Sequence, residues 1–434
     1  MTIQAVIDQA FAAQKEAFLS GKTRDVEGRL AILRRFKQAI LDNKLAIYQA
    51  LDSDLGKTPE VVDMAEIGAV TEEIDVMLEN LATWAQDDVF PLTGHFAGSE
   101  GRIRAEPYGL TYIIGPFNYP FNLTLTPLVG AIAAGNTAIL KPSESTPATS
   151  AIIKKVIAES FDPEIVTVIE GGRKENEILL TKPFDFFFFT GSPNVGKIIM
   201  KAAADHLAPV VLELGGKCPV VVFEDADIDL LIERLTYTKY LNSGQTCVAP
   251  DYLLVPEAIS QQVVDKLLAK IAADYQGKSV GKVVNAKQVE KLAGYLKETK
   301  GKVVAGGDYD EQHRQFAATV VTDVEWDDAL MQDEIFGPIL PILSYTDLAS
   351  VREKIITHHE KPLAIYAFSQ DEQAALDFIA TIQSGDAQIN DMLTHAMCPQ
   401  LPFGGIGPSG MGKYHGKTSF DIYSHKRSIR TVKA

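Results

Sequence analysis

The first 90 residues carry apolar positions at helical spacing. Leu30, Ile32, Leu33, Phe36, Ile40 and Leu41 recur with charged residues on the opposite face, the pattern of an amphipathic helix. Thr58-Pro59-Glu60 reads as a helix start, with proline in the first turn and acidic residues following. Beyond Pro91 the chain turns polar and glycine-bearing, and GRIRAEPYG alternates as an exposed ribbon would. From Leu110 the period changes. Short runs rich in β-branched and aromatic residues (LTYII, TAIL, VTVI, FDFFFF, PVVLEL and PVVVF) are separated by helical stretches such as ATSAIIKKVIAESF. That alternation predicts βαβ units around a parallel sheet buried on both faces, with 186–189 in a central strand. Past residue 218 it resumes, with a helix expected near 227–240 and a strand near 252–255, and continues to a glycine-rich loop at 402–416. No internal repeat or long linker interrupts it.

Length and composition narrow the function classes. At about 150 residues per domain, 434 residues predict two or three domains with ample buried cores. An apolar fraction of 46% with 23% charged residues fits a folded soluble protein and excludes wholesale disorder. The formal charge of −16 disfavours nucleic-acid binding, which needs a basic patch. Three cysteines cannot form a disulfide framework, and suit a reducing compartment. Residues 107–140 hold no charge, but prolines, glycines and asparagines punctuate them, so no membrane span is expected. The first residues show no basic-then-apolar order, so no targeting signal is expected and the location expected is cytoplasmic.

Several residues could carry chemistry, each with a plainer alternative. Cys247, in SGQTCVAP, is either a nucleophile or an inert buried thiol. Glu213 ends an apolar strand, where a carboxylate is costly unless functional or paired, with Lys217 the nearest candidate partner. Asn118, between two prolines in PFNYP, is either a polar site group or a turn former. Lys141-Pro142-Ser143-Glu144 follows TAIL, and Gly191-Ser192-Pro193-Asn194-Val195-Gly196 follows FFFFT. Both suit nucleotide-handling loops at the carboxyl ends of strands, although neither is the GxGxxG fingerprint.

Together these segments resemble the NAD(P)-dependent aldehyde dehydrogenase superfamily. PFNYP, KPSE, FTGSPNVG, ELGGK, SGQTC, EIFGP (334–338) and PFGGIGPSGMGKYHG (402–416) occur in the family's order, from about residue 100 onwards. The ending GMGKYHGKTSFDIYSHKRSI, with Asn390-Asp391 and His395 before it, is similar to the class 3 branch, whose dimeric members act on aromatic and medium- to long-chain aldehydes.

The resemblance implies an α/β fold with a Rossmann-like doubly wound cofactor domain (1–89 and 107–213), a second α/β catalytic domain (214–417) and a small β oligomerisation ribbon (90–106 and 418–434). It implies Cys247 as nucleophile, Asn118 as oxyanion donor and Glu213 as base for the water that hydrolyses a thioester. Lys141 and Glu144 would hold the adenosine ribose, and Gly191, Ser192 and Gly196 the pyrophosphate. Glu334 would bind the nicotinamide ribose, with Phe336 beside the ring. Phe117, Tyr119, Tyr237 and His415 would wall an aldehyde funnel. Cys218 and Cys398 are read as bystanders, and no metal is implied. A glutamate on the ribose repels a 2′-phosphate, so NAD is the expected cofactor, with NADP tolerated because Lys141 offsets part of the repulsion. A homodimer is expected. A CoA-acylating aldehyde dehydrogenase is the alternative, which Glu213 disfavours.

Overall fold

The computed structural model describes residues 2–275 and 280–432. Asp25 accepts the Gly28 N–H at 2.8 Å and so caps helix Val26–Asp42. That helix buries Leu30, Leu33, Phe36 and Ile40, while Leu41 turns outwards and is 43% exposed. Thr58 and Pro59 do open a helix, Pro59–Val62. It passes directly into a π-helical segment, Asp63–Gly68, before helix Ala69–Trp84 continues.

Five parallel strands form the first sheet, in the spatial order Val210–Glu213, Phe186–Thr190, Leu110–Ile114, Thr137–Lys141 and Val166–Val168. Phe186, Phe187, Phe188 and Phe189 are all buried, because helices cover both faces. The chain order reverses between Leu110–Ile114 and Phe186–Thr190, and an open α/β sheet binds ligands outside the carboxyl ends of its strands at such a point. Register places Lys141 opposite Ile114, and Glu213 opposite Thr190, so both charged residues emerge along this one edge.

A second sheet of seven strands runs Lys302–Ala305, Thr319–Thr322, Ile339–Tyr345, Tyr252–Pro256, Pro219–Val222, Ala364–Phe368 and Asp386–Ile389; only the first of these is antiparallel to its neighbour. Helix Ile228–Tyr240 and strand Tyr252–Pro256 fall where the apolar pattern indicates. The short strand Gly410–Met411 crosses back and pairs antiparallel with Val210–Glu213, so the glycine-rich loop reaches the first sheet. Asp88–Pro91, Ser99–Pro107 and Ser424–Val432 build a separate antiparallel ribbon, the last two paired along nine residues. The fold is α/β, doubly wound in its first sheet, as the alternating pattern predicts.

Candidate active site

A cavity of about 1070 Å³ opens at the switch point of the first sheet. Its walls come from the carboxyl ends of that sheet and from segments 284–291 and 334–336 beyond it. Phe117, Asn118, Lys141, Glu144, Gly191, Ser192, Glu213, Cys247, Glu334 and Phe336 all line it. Residues 216 positions apart in the chain, from Asn118 to Glu334, thus share one space.

Cys247 stands in a loop entered through strained backbone. Asn242 (φ 53°), Ser243 (φ 58°) and Gly244 (φ 70°) are consecutive left-handed residues. A Cβ on Gly244 would lie 2.3 Å from the Gly337 carbonyl oxygen, so only glycine fits. Gln245 holds the loop: its amide donates to the carbonyls of Asn242 (2.9 Å) and Lys282 (3.0 Å) and accepts the Val284 N–H at 2.8 Å. Burial pushes the Cys247 thiol up to about 12, helped by the Glu334 and Glu213 carboxyls and opposed by the N–H groups of Cys247 and Val248. Cys218 is fully buried against this loop, its thiol donating to the Cys247 carbonyl at 3.4 Å, and burial lifts it well above the thiol range.

Asn118 is locked to the same loop. Its side-chain amide donates to the Gln245 carbonyl at 3.1 Å, which leaves one N–H of that amide without a partner among the described residues. Its own carbonyl accepts from Lys57 (2.7 Å) and Asn242 (2.8 Å). Tyr119, next in sequence, shares a 2.7 Å hydrogen bond with the Thr246 hydroxyl.

Glu213 is 3% exposed, and neither of its oxygens has a hydrogen-bond partner among the described residues. Burial raises its carboxyl well above the usual range, Asp386 adding to the shift and Lys413 opposing it. Lys217 does not neutralise it; that ammonium is buried against Asp251 and the carbonyls of Leu330 and Asp333. Glu334 packs so tightly on Gly215 that a Cβ there would meet its Oε2 at 2.1 Å. Burial raises this carboxyl to about 8, the Asp251 carboxylate adding to the shift and the Gly216 N–H lowering it.

The remaining groups fit a dinucleotide. Lys141 is buried and pairs with Glu144 at 2.7 Å, the latter half-exposed at the cavity wall. Helix Pro193–Asp205 begins beside Ser192 and directs its positive end to the cavity, an arrangement suited to phosphate. Phe117 and Phe336 meet edge to face at 5.8 Å.

Four expected site residues lie elsewhere. Gly196 is buried under Leu214, where a Cβ would meet Leu214 Cδ2 at 2.8 Å; it brings the helix against the strand rather than facing the cavity. Tyr119 is buried with its hydroxyl on Thr246 and is not in the cavity wall. Tyr237 is 48% exposed and donates to the Met64 sulfur at 3.4 Å. His415 stacks on Phe403 at 5.7 Å, and burial lowers its ring to about 4. Residues not singled out from the sequence also line the cavity, among them Arg173, Gln288 and Lys291. Gln288 and Lys291 sit in the first two turns of helix Ala286–Glu298, whose Val289, Leu292 and Ala293 are buried on another face.

Comparison with known proteins agrees with this geometry. The aldehyde dehydrogenase family model matches residues 2–429. A 4,4'-diaponeurosporen-aldehyde dehydrogenase of Staphylococcus aureus is 43% identical, the match covering 98% of this chain and 93% of that one. The dimeric, NADP-preferring aldehyde dehydrogenase of Rattus norvegicus is 42% identical over 95% of this chain and 92% of its own. A substrate-bound structure of Staphylococcus aureus AldH superimposes with a TM-score of 0.95 at 42% identity, covering 99% of this chain and 94% of that one. With a cysteine, an asparagine and a glutamate facing one dinucleotide-sized cleft, the chain belongs to the aldehyde dehydrogenase family, in its class 3-like branch.

Proposed function

We propose that this protein oxidises an apolar aldehyde, aromatic or medium- to long-chain, to its carboxylate through a thioester on Cys247. The observation that carries the reading is the convergence of Cys247, Asn118 and Glu213 on one cavity with the Lys141–Glu144 pair and the helix start at Ser192. Attack by the Cys247 thiolate makes the carbonyl carbon tetrahedral, and the free N–H of Asn118 with the Cys247 N–H receives the oxyanion. NAD(P), when bound, supplies the acceptor for the hydride. Lys141 and Glu144 hold its adenosine ribose, the N-terminus of helix Pro193–Asp205 its pyrophosphate, and Glu334 its second ribose. Glu213 then draws a proton from water, which releases the acid and frees the thiol.

Acyl transfer to CoA would leave Glu213 without a role. An aldehyde panel of graded chain length with each cofactor, with and without CoA, tests the reading; reduced cofactor forming only when CoA is present would overturn it. Apolar specificity rests in this reading on the Phe117 and Phe336 rings, which meet edge to face at the cavity wall.

NAD is preferred and NADP tolerated in this reading. The Glu144 carboxylate would face a 2′-phosphate, while the exposed Arg173 at the cavity wall can receive one. The rat relative's name states the opposite preference. Glu144→Gln is expected to raise kcat/KM with NADP relative to NAD, and an unchanged ratio would remove Glu144 from cofactor selection. The three free cysteines suit a reducing, cytoplasmic setting. Homodimerisation is assigned to the ribbon, whose outer strand Ser424–Val432 has one unpaired edge and whose neighbourhood exposes Val89, Phe90, Phe96 and Val432.

A further inference from the structure

A lysine and a glutamate outside the cavity lining are buried together directly behind Asn118. Lys57 and Glu66 side chains are 1% and 0% exposed, with Nζ and Oε1 2.5 Å apart. The Lys57 ammonium also donates to the Asn118 carbonyl at 2.7 Å and lies 3.9 Å from the centre of the Tyr119 ring. Its donors are thereby directed at a carboxylate, a carbonyl and an aromatic face. The other Glu66 oxygen accepts the N–H groups of Phe121 (3.1 Å) and Asn122 (2.9 Å), and Asn122 returns a hydrogen bond to the Ala65 carbonyl at 3.0 Å. Glu66 reaches these groups from the π-helical segment Asp63–Gly68, a form of helix found often at functional sites.

We infer that the Lys57–Glu66 pair positions the oxyanion hole. It holds the chain at Asn118 and again just after PFNYP: by the Asn118 carbonyl, and by the N–H groups of Phe121 and Asn122 where helix Asn122–Ala134 begins. Stability alone gives a weak reason for such a pair, since burying two charges costs about what their attraction returns and an apolar pair often serves as well. Burial lowers the Lys57 and raises the Glu66 titration, each partner opposing the other's shift, so the site holds charge at a cost. Neither residue touches the reacting atoms. They are positioning residues, and the inference rests on Asn118 being the oxyanion donor.

The test uses the full-length enzyme with a neutral replacement of both partners, Lys57→Met with Glu66→Gln, which leaves no orphaned charge. A displacement of about 1 Å in a catalytic group costs on the order of 100-fold in rate. The double variant should lose roughly 10- to 100-fold in kcat, for both aldehyde oxidation and p-nitrophenyl ester hydrolysis, with KM and cofactor affinity unchanged. Placed on Asn118→Ala, it should cost no further activity, because the group it positions is gone. Should the double variant fail to fold, Lys57→Arg and Glu66→Gln are measured singly against the same background. An unchanged kcat, or a loss that multiplies with that of Asn118→Ala, would overturn the inference while leaving the proposed chemistry intact. An Asn118→Ala enzyme with undiminished kcat would overturn the oxyanion assignment itself, and this inference with it.

Discussion

Cys247 is held in surroundings that keep its sulfur protonated. With the thiol pushed up to about 12, the thiolate fraction in the free protein is small at neutral pH and rises nearly tenfold per pH unit below that value. Iodoacetamide alkylation of Cys247, followed by peptide mass spectrometry, should therefore be slow at pH 7 and climb steadily to pH 10; a plateau near pH 7 would mean an already activated thiol. Glu213 works in the same direction. A carboxyl raised well above its usual range is protonated at low pH and becomes a base only as pH rises, so thioester hydrolysis should accelerate with pH through an apparent value above the ordinary carboxylate range. Glu213→Gln should remove that dependence and stop the enzyme after one equivalent of reduced cofactor. A steady rate without a burst would place Glu213 before hydride transfer. Glu213 was legible because it ends an apolar strand with a group that burial penalises, whereas Cys247 stood out only through the resemblance of SGQTC and its companion segments to the family. Gln245 was not, since its partners at 282 and 284 are set by the fold and a lone glutamine carries no pattern.

Three left-handed residues in a row aim the loop that carries Cys247, and the strain is fixed by contacts on both sides. Gly244→Ala adds a Cβ against the Gly337 backbone and forces an L side chain to φ 70°. It should lower stability by about 1–3 kcal/mol, read as a fall in Tm, and depress kcat with it. An unchanged Tm would show that the loop can relax. Period separated helices from strands well: the four phenylalanines lie in an interior strand, and the Thr58-Pro59 start is real. The π-helical segment behind it was not legible, because a single extra residue per turn leaves no trace in hydrophobic spacing. Lys57 and Glu66 carry no signal of their role in the sequence, since the backbone groups they hold at Asn118 and Phe121 lie 61 and 55 residues away. Strand Gly410–Met411 is too short to announce itself and pairs across almost 200 positions.

At the scale of the whole molecule, the cavity exists only where the two sheets meet, so the chemistry depends on their registration by short crossings such as Leu214-Gly215-Gly216. The ribbon stands apart from both sheets and offers an open edge with exposed apolar neighbours. Sedimentation velocity should give a mass twice the 47.3 kDa of one chain, and removal of residues 428–434, which halves the edge strand, should shift the population to monomer. A dimer that survives this truncation would move the interface elsewhere. The central claim, that the acyl group passes through a covalent bond to Cys247, is tested most directly by the intact mass of the Glu213→Gln protein after mixing with aldehyde and NAD. The account predicts a single species heavier by the aldehyde less two hydrogens, mapped to Cys247. Reduced cofactor formed in a burst with no such adduct, or with the adduct on Cys218 or Cys398, would contradict it.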